Sequence, residues 1–373
     1  MGQRRLVTNS YKSFITKEPS KERVANTASY AEFSIKPEAF LVHDPVAVGA
    51  FEVMEGIDDP GVLEENILFH SRPDVRLYVE QHRAFVELLR KHVKKVIYLN
   101  ELVGDLESFR ASKANPNQVF TRDSLITIPW IPNGYIKARM AKPLRRSESD
   151  IMEAAVKKLG LREIVRLPEH LFLEGGDVIP FSRNGIRTLL VGYGRRTRLE
   201  TLYFLQEVLI PQYVDEIIGI ELAEWRINLD GGLLPIAEDV TVADMSSIVG
   251  GILFDDQNQE KLDIFEMLRD LGMRIIDVTP DESLYCQACN CVCLGERRVI
   301  YYDLADRVHE ILLRHEIEVY RTSGSELVKG RGSPPLHDPP NLPEAIGMFE
   351  KKEEKWWSSH ESLIISLFTI INS

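Results

Sequence analysis

The sequence predicts an α/β fold assembled from one repeated piece, an amphipathic helix followed by a short apolar strand. Three observations carry this. Five stretches place apolar residues at helical spacing, a short run rich in β-branched residues follows each, and the pairs recur at regular intervals along the chain. With 373 residues, 44% of them hydrophobic and 27% charged, the chain has the length and composition to bury a sizeable core.

In chain order, residues 1 to 30 are polar, basic and without periodicity, and read as a loose N-terminal arm. The first helix is expected over Asp74–Val93, with Leu77, Val79, Phe85, Leu88, Leu89 and Val93 on one face, before the strand Val96-Ile97-Tyr98-Leu99. The second runs over Ser149–Leu159, stopped by Gly160, before Glu163-Ile164-Val165-Arg166. A third helix, Arg198–Leu209, precedes Glu216–Ile220. A fourth, Asn258–Leu271, ends at Gly272 before Arg274-Ile275-Ile276, and a fifth, Leu304–His315, precedes Glu316–Tyr320. Further apolar runs, Thr188–Val191 and Val299–Tyr302, supply strands between them. A doubly wound parallel sheet also alternates helix with strand, and periodicity does not separate the two architectures. No glycine-rich loop links a strand to a helix, so no phosphate cradle is expected. Residues 31–332 read as one domain. From Ser333 the chain is rich in proline and then in charge, which reads as a poorly packed tail over 333–373.

The formal net charge of -12 argues against nucleic-acid binding, since neutralising phosphates needs a cationic face. No basic stretch followed by an apolar run marks a secretory signal, and the apolar run Leu363–Ile371 is too short to span a bilayer, so no membrane partner and a cytoplasmic location are expected. All four cysteines crowd into Cys286–Cys293. Their spacing is tight for a zinc loop, and the favoured reading makes Cys289, Cys291 and Cys293 alternating residues of a buried strand, with no metal.

Four segments set charge beside glycine or at the ends of apolar strands: Phe120-Thr121-Arg122-Asp123, Leu173-Glu174-Gly175-Gly176-Asp177, Ile227-Asn228-Leu229-Asp230 and Gly330-Arg331-Gly332. Singly, each reads as turn chemistry: a capping aspartate, a tight diglycine turn, a hairpin loop. In this order and company, from Pro37 to Pro334, the chain resembles the guanidino-group-modifying enzymes, which comprise arginine deiminases, amidinotransferases and dimethylarginine hydrolases; the likeness to arginine deiminase is strongest.

That resemblance implies a five-bladed pseudo-symmetric α/β propeller, the pentein fold, matching the five repeated units. It also implies roles. Carboxylates hold a planar guanidinium through paired, charge-assisted hydrogen bonds, and Asp123 and Asp230 match the pair that does so, with Glu174 as the third acid. Arg196 and Arg331 match arginines that receive the substrate carboxylate. The family hydrolyses its substrate with a cysteine nucleophile and a histidine that carries protons, without a cofactor. Here Asn228 stands at the histidine position and Leu336 at the cysteine position, and His337 follows one place late. The implied function is an arginine-deiminase-like hydrolase of arginine metabolism, releasing citrulline and ammonia from free arginine or a related guanidino compound, and inactive as written if no other residue replaces those two. The alternatives are a non-catalytic guanidino-binding or regulatory pseudoenzyme and an amidinotransferase. The partner is a small guanidino compound, with homo-oligomerisation left open.

Overall fold

The computed structural model describes Phe14, residues 31–330 and Ser366–Leu367. The arm over 1–30 and the tail over 333–373 thus fall almost wholly outside the described residues.

Each expected helix–strand pair is present. The helix Val75–His92 starts where Asp74 accepts a hydrogen bond from the Leu77 N–H, and ends in Arg90, Lys91 and His92, cations that favour a helix C-terminus. It buries Tyr78, His82, Phe85, Val86 and Leu89, and the strand Lys95–Tyr98 follows. The later pairs are Arg146–Lys158 with Arg162–Val165, Leu199–Leu209 with Glu216–Leu222, Ile264–Asp270 with Arg274–Asp277, and Asp306–Arg314 with Glu318–Thr322. Four of the units have a fuller plan. An antiparallel strand pair precedes the helix, and the strand after the helix returns parallel to the second member of that pair.

The strands form five separate sheets among the described residues, four of three strands and one of five. This excludes the doubly wound alternative, which needs one continuous sheet. The first sheet is parallel throughout: Ala39–Val42 pairs with Lys95–Tyr98 on one side and with Ser366–Leu367 on the other.

One helix is shorter than its sequence suggests. Gln259–Leu262 forms an edge strand against Ile248–Phe254, and only Ile264–Asp270 is helical, capped by Asp263. The Gln-Glu-Lys-Leu run is polar enough for a solvated edge, and its lysine and glutamate discourage further pairing there. The cysteine strand is also shorter than expected. Only Val292–Cys293 is extended, while Cys289 and Cys291 lie in the preceding turn, both fully buried. Among the described residues no group of three or more His, Cys, Asp or Glu side chains is placed to hold a metal, and no helix is long and apolar enough to cross a membrane.

Candidate functional site

The acid-bearing segments form three short 3-10 turns, Thr121–Ser124, Gly175–Asp177 and Leu229–Gly231. Each lies just before the first strand of its unit: Leu125–Thr127, Val178–Pro180 and Leu233–Ala237. The three turns pack on one another, the middle one touching both others. Glycine makes this approach feasible. A Cβ on Gly175 would stand 2.0 Å from the Arg122 carbonyl oxygen, and one on Gly176 would stand 2.8 Å from Asp123 Oδ1 and 3.0 Å from Asp230 Oδ2. The two aspartates therefore converge over the bare backbone of Gly176. The turn readings were right as local structure, but they missed that the turns meet.

Glu174 is fully buried at the same place. Its Oε1 accepts from the Ala141 N–H at 3.0 Å and from Arg196 Nη1 at 3.2 Å, and Oε2 accepts from Asn228 Nδ2 at 3.4 Å. Burial acts to raise its carboxyl pKa, but Arg196 and Arg145 overcome this and hold it below the usual carboxylate value. Asp123 goes the other way: burial and the neighbouring Glu174 charge outweigh Arg145 and raise it.

Every one of these acids has an arginine of the chain beside it. Arg145 Nη1 donates to Asp123 Oδ2 at 2.8 Å, and its Nε and Nη2 form a two-pronged pair with Glu148 at 2.9 and 2.8 Å. The same guanidinium lies 5.3 Å from the Phe120 ring centroid. Asn115 also donates to Glu148, whose carboxyl burial raises to about 7. Arg122 Nε lies 3.5 Å from Asp230 Oδ2, and Arg122 Nη2 donates to the Val178 carbonyl. Acids and arginines are thus interleaved.

Asn228 is fully buried, and Nδ2 donates to both Glu174 and Asp177, the latter at 3.1 Å, which fixes the orientation of the amide. Asp177 holds this turn. It accepts from the Leu229 N–H at 2.9 Å and from Thr197 Oγ1 at 2.7 Å. Burial, reinforced by Glu174, pushes its carboxyl up to about 8.

Asp123, Glu174, Asn228, Asp230 and Arg196 are therefore brought together, while Arg331 and Leu336 lie outside the described residues. Sequence reasoning missed Arg145, Glu148 and Thr197, and took Asp177 only as a turn residue. Glu-Gly-Gly-Asp is symmetric about its diglycine, and that symmetry could have marked Asp177 as a partner of Glu174.

Solved structures share this fold. Unliganded AgrE superposes with a TM-score of 0.58 at 20% identity, over 79% of this chain and 38% of that one. The product-bound N-terminal domain of ArgZ, an arginine dihydrolase of the ornithine–ammonia cycle in Cyanobacteria, gives 0.58 at 18% identity, over 80% and 94%. DDAH from Pseudomonas aeruginosa, complexed with citrulline, gives 0.55 at 19%, over 80% and 97%. The arginine deiminase family model matches residues 105–335, and the chain belongs to that family. It is 26% identical to the arginine deiminase of Staphylococcus aureus over 343 residues, 78% of this chain and 82% of that one. Against the arginine deiminase of Listeria welshimeri it is 24% identical over 277 residues and spans 65% of that protein's length.

Proposed function

We propose that this chain binds free arginine or a related guanidino compound at Asp123, Glu174 and Asp230 and does not hydrolyse it. The single observation that carries the reading is the state of Asn228. At the position where the family resemblance places a proton-carrying histidine, a buried amide is fixed between Glu174 and Asp177. An amide neither takes nor gives a proton near neutral pH, so the leaving ammonia and the attacking water have no carrier there. The nucleophile position reads Leu336 in the sequence. Cys289 is no substitute: it lies near Arg226 and Asp244, and burial pushes its thiol well above the usual value, which suppresses the thiolate. Guanidinium binding is supported by Arg145, since the chain's own guanidinium donates one hydrogen bond to Asp123 and a pair to Glu148 and lies against the Phe120 ring. Arg196 and Arg331 would receive the ligand carboxylate. In this reading the five sheets are blades of a five-bladed pseudo-symmetric propeller, residues 31–332 are one domain, and the protein works in the cytoplasm.

Calorimetry with millimolar arginine should show weak binding that Asp230→Ala abolishes. Neither the natural chain nor Asn228→His should release citrulline from arginine. Citrulline release by the unmodified chain that disappears in Asp230→Ala would refute the non-catalytic reading, and folded protein that binds no arginine would refute the site.

A further inference from the structure

The outer face of the acid cluster carries a rim of cations. Arg146 follows Arg145, Arg195 precedes Arg196, and Arg198 follows Thr197; all three rim arginines are exposed. Lys142, also exposed, follows Ala141, whose N–H donates to Glu174. Arg139 exchanges backbone hydrogen bonds with Leu173, the residue before Glu174. Each rim cation is thereby fixed by the chain to a group that touches the buried site.

Phe172 organises the rim. Its half-buried ring has the Arg146 and the Arg198 guanidinium carbons each 5.9 Å from its centroid. The ring holds both side chains in place without neutralising them. Among the described residues neither Arg146, Arg195, Arg198 nor Lys142 forms an ion pair; Asp150, the exposed acid one helical turn from Arg146, pairs with Lys137 instead, and the exposed Glu169 and Glu200 form none. The buried atom Arg139 Nε has no hydrogen-bond partner there. Two arginines without an ion-pair partner, Arg146 and Arg198, thus meet at one ring on a chain of net charge -12. The acids that would hold a guanidino group are almost wholly buried, and Arg196, two residues before Arg198, donates to Glu174.

We propose that this rim is an oxyanion-binding subsite, and that the ligand is a guanidino compound carrying a second carboxylate or phosphate beyond the single carboxylate of arginine. The inference rests on the guanidino reading of the acid cluster. Exposed charge pairs contribute little each, so two arginines supply an advantage of about three- to tenfold in affinity, shrinking as salt rises.

The test compares arginine, arginyl-glutamate and arginyl-glutamine by calorimetry, with inorganic phosphate as competitor. Arginyl-glutamate should bind about three- to tenfold more tightly than arginyl-glutamine. In Arg146→Gln/Arg198→Gln, whose replaced side chains are exposed, that ratio should fall to about one while the melting curve stays unchanged. Phosphate that removes the advantage shows that the rim takes either anion; an advantage untouched by phosphate but lost at high salt assigns it to carboxylates. Equal binding of the two dipeptides, or an advantage surviving in the double variant, overturns the subsite and leaves the guanidino site standing. No binding of arginine or either dipeptide overturns both.

Discussion

Replacing Arg145 by alanine tests whether the acid cluster is built to hold a guanidinium. Arg145 makes three charge-assisted hydrogen bonds, one to Asp123 and two to Glu148, and is almost wholly buried, as are both acids. Removing one partner of a buried ion pair leaves the other charge uncompensated, at a cost of about 3–5 kcal/mol. For a chain of this size that corresponds to a melting temperature lower by about 4–6 °C. The deficit should depend on pH in a definite sense. Burial already raises the Glu148 carboxyl to about 7, and without Arg145 it rises further. An acid raised above its unfolded value contributes stability that is complete below the unfolded value and lost as pH climbs through the folded one. Wild type and variant should therefore diverge more at pH 8 than at pH 6.

The assay is a melting curve with and without a few millimolar methylguanidinium, an ion with the shape of the missing group. It should raise the melting temperature of Arg145→Ala by several degrees and shift wild type much less. A variant that melts with wild type would show that these ion pairs contribute nothing net. A destabilised variant indifferent to methylguanidinium would show that the pocket is held by the covalent attachment of Arg145 and not by its recognition.

Two further outcomes follow from the turns. Asp177, raised to about 8 in the fold by burial and by Glu174, contributes stability that is present below the unfolded carboxylate range and lost as pH rises through about 8; Asp177→Asn should flatten the decline of melting temperature between about pH 4 and pH 8. Gly176→Ala would drive a methyl group between Asp123 and Asp230 and should weaken arginine binding by about tenfold or more, whereas Gly175→Ala meets a backbone carbonyl and should chiefly lower stability, by about 1–3 kcal/mol; calorimetry and melting curves separate the two effects.

The helices were legible because their apolar faces repeat at helical spacing and their ends carry stop signals, such as Gly160 at φ 84°. Gln259–Leu262 was misread because Leu262 continues the period of the following helix, and nothing local shows that Ile248–Phe254 waits alongside to pair with it. The acid turns were visible as polar segments, but their convergence was legible only through the family resemblance, because it depends on packing between units far apart in sequence. Arg145 and Glu148 were invisible for a related reason. An arginine and a glutamate three apart at a helix start ordinarily belong to a solvated face. Here Asn115 and Asp123, from earlier segments, close over them.

The interleaved arginines bear on how the proposed site, binding without turnover, would persist. Asp123, Glu148, Glu174, Asp177 and Asp230 are all buried within one neighbourhood, and five carboxylates could not all remain ionised there unaided. The chain meets this in two ways. Arg122, Arg145 and Arg196 supply three positive charges, while burial moves the Asp177 and Glu148 carboxyls toward neutral pH. The cluster is therefore close to electrostatic balance with no ligand present. On the proposed reading an incoming guanidinium would gain only what it takes from an arginine already in place, which would make binding weak. The amide of Asn228 fits that balance. A histidine there would add a titrating charge to a cluster already compensated, whereas the amide donates to Glu174 and Asp177 and adds none. On the proposed reading, loss of the proton carrier and internal neutralisation of the acids would act in the same direction, toward a pocket occupied by its own side chains until a ligand with further anionic contacts outside, at Arg146 and Arg198, made the exchange favourable.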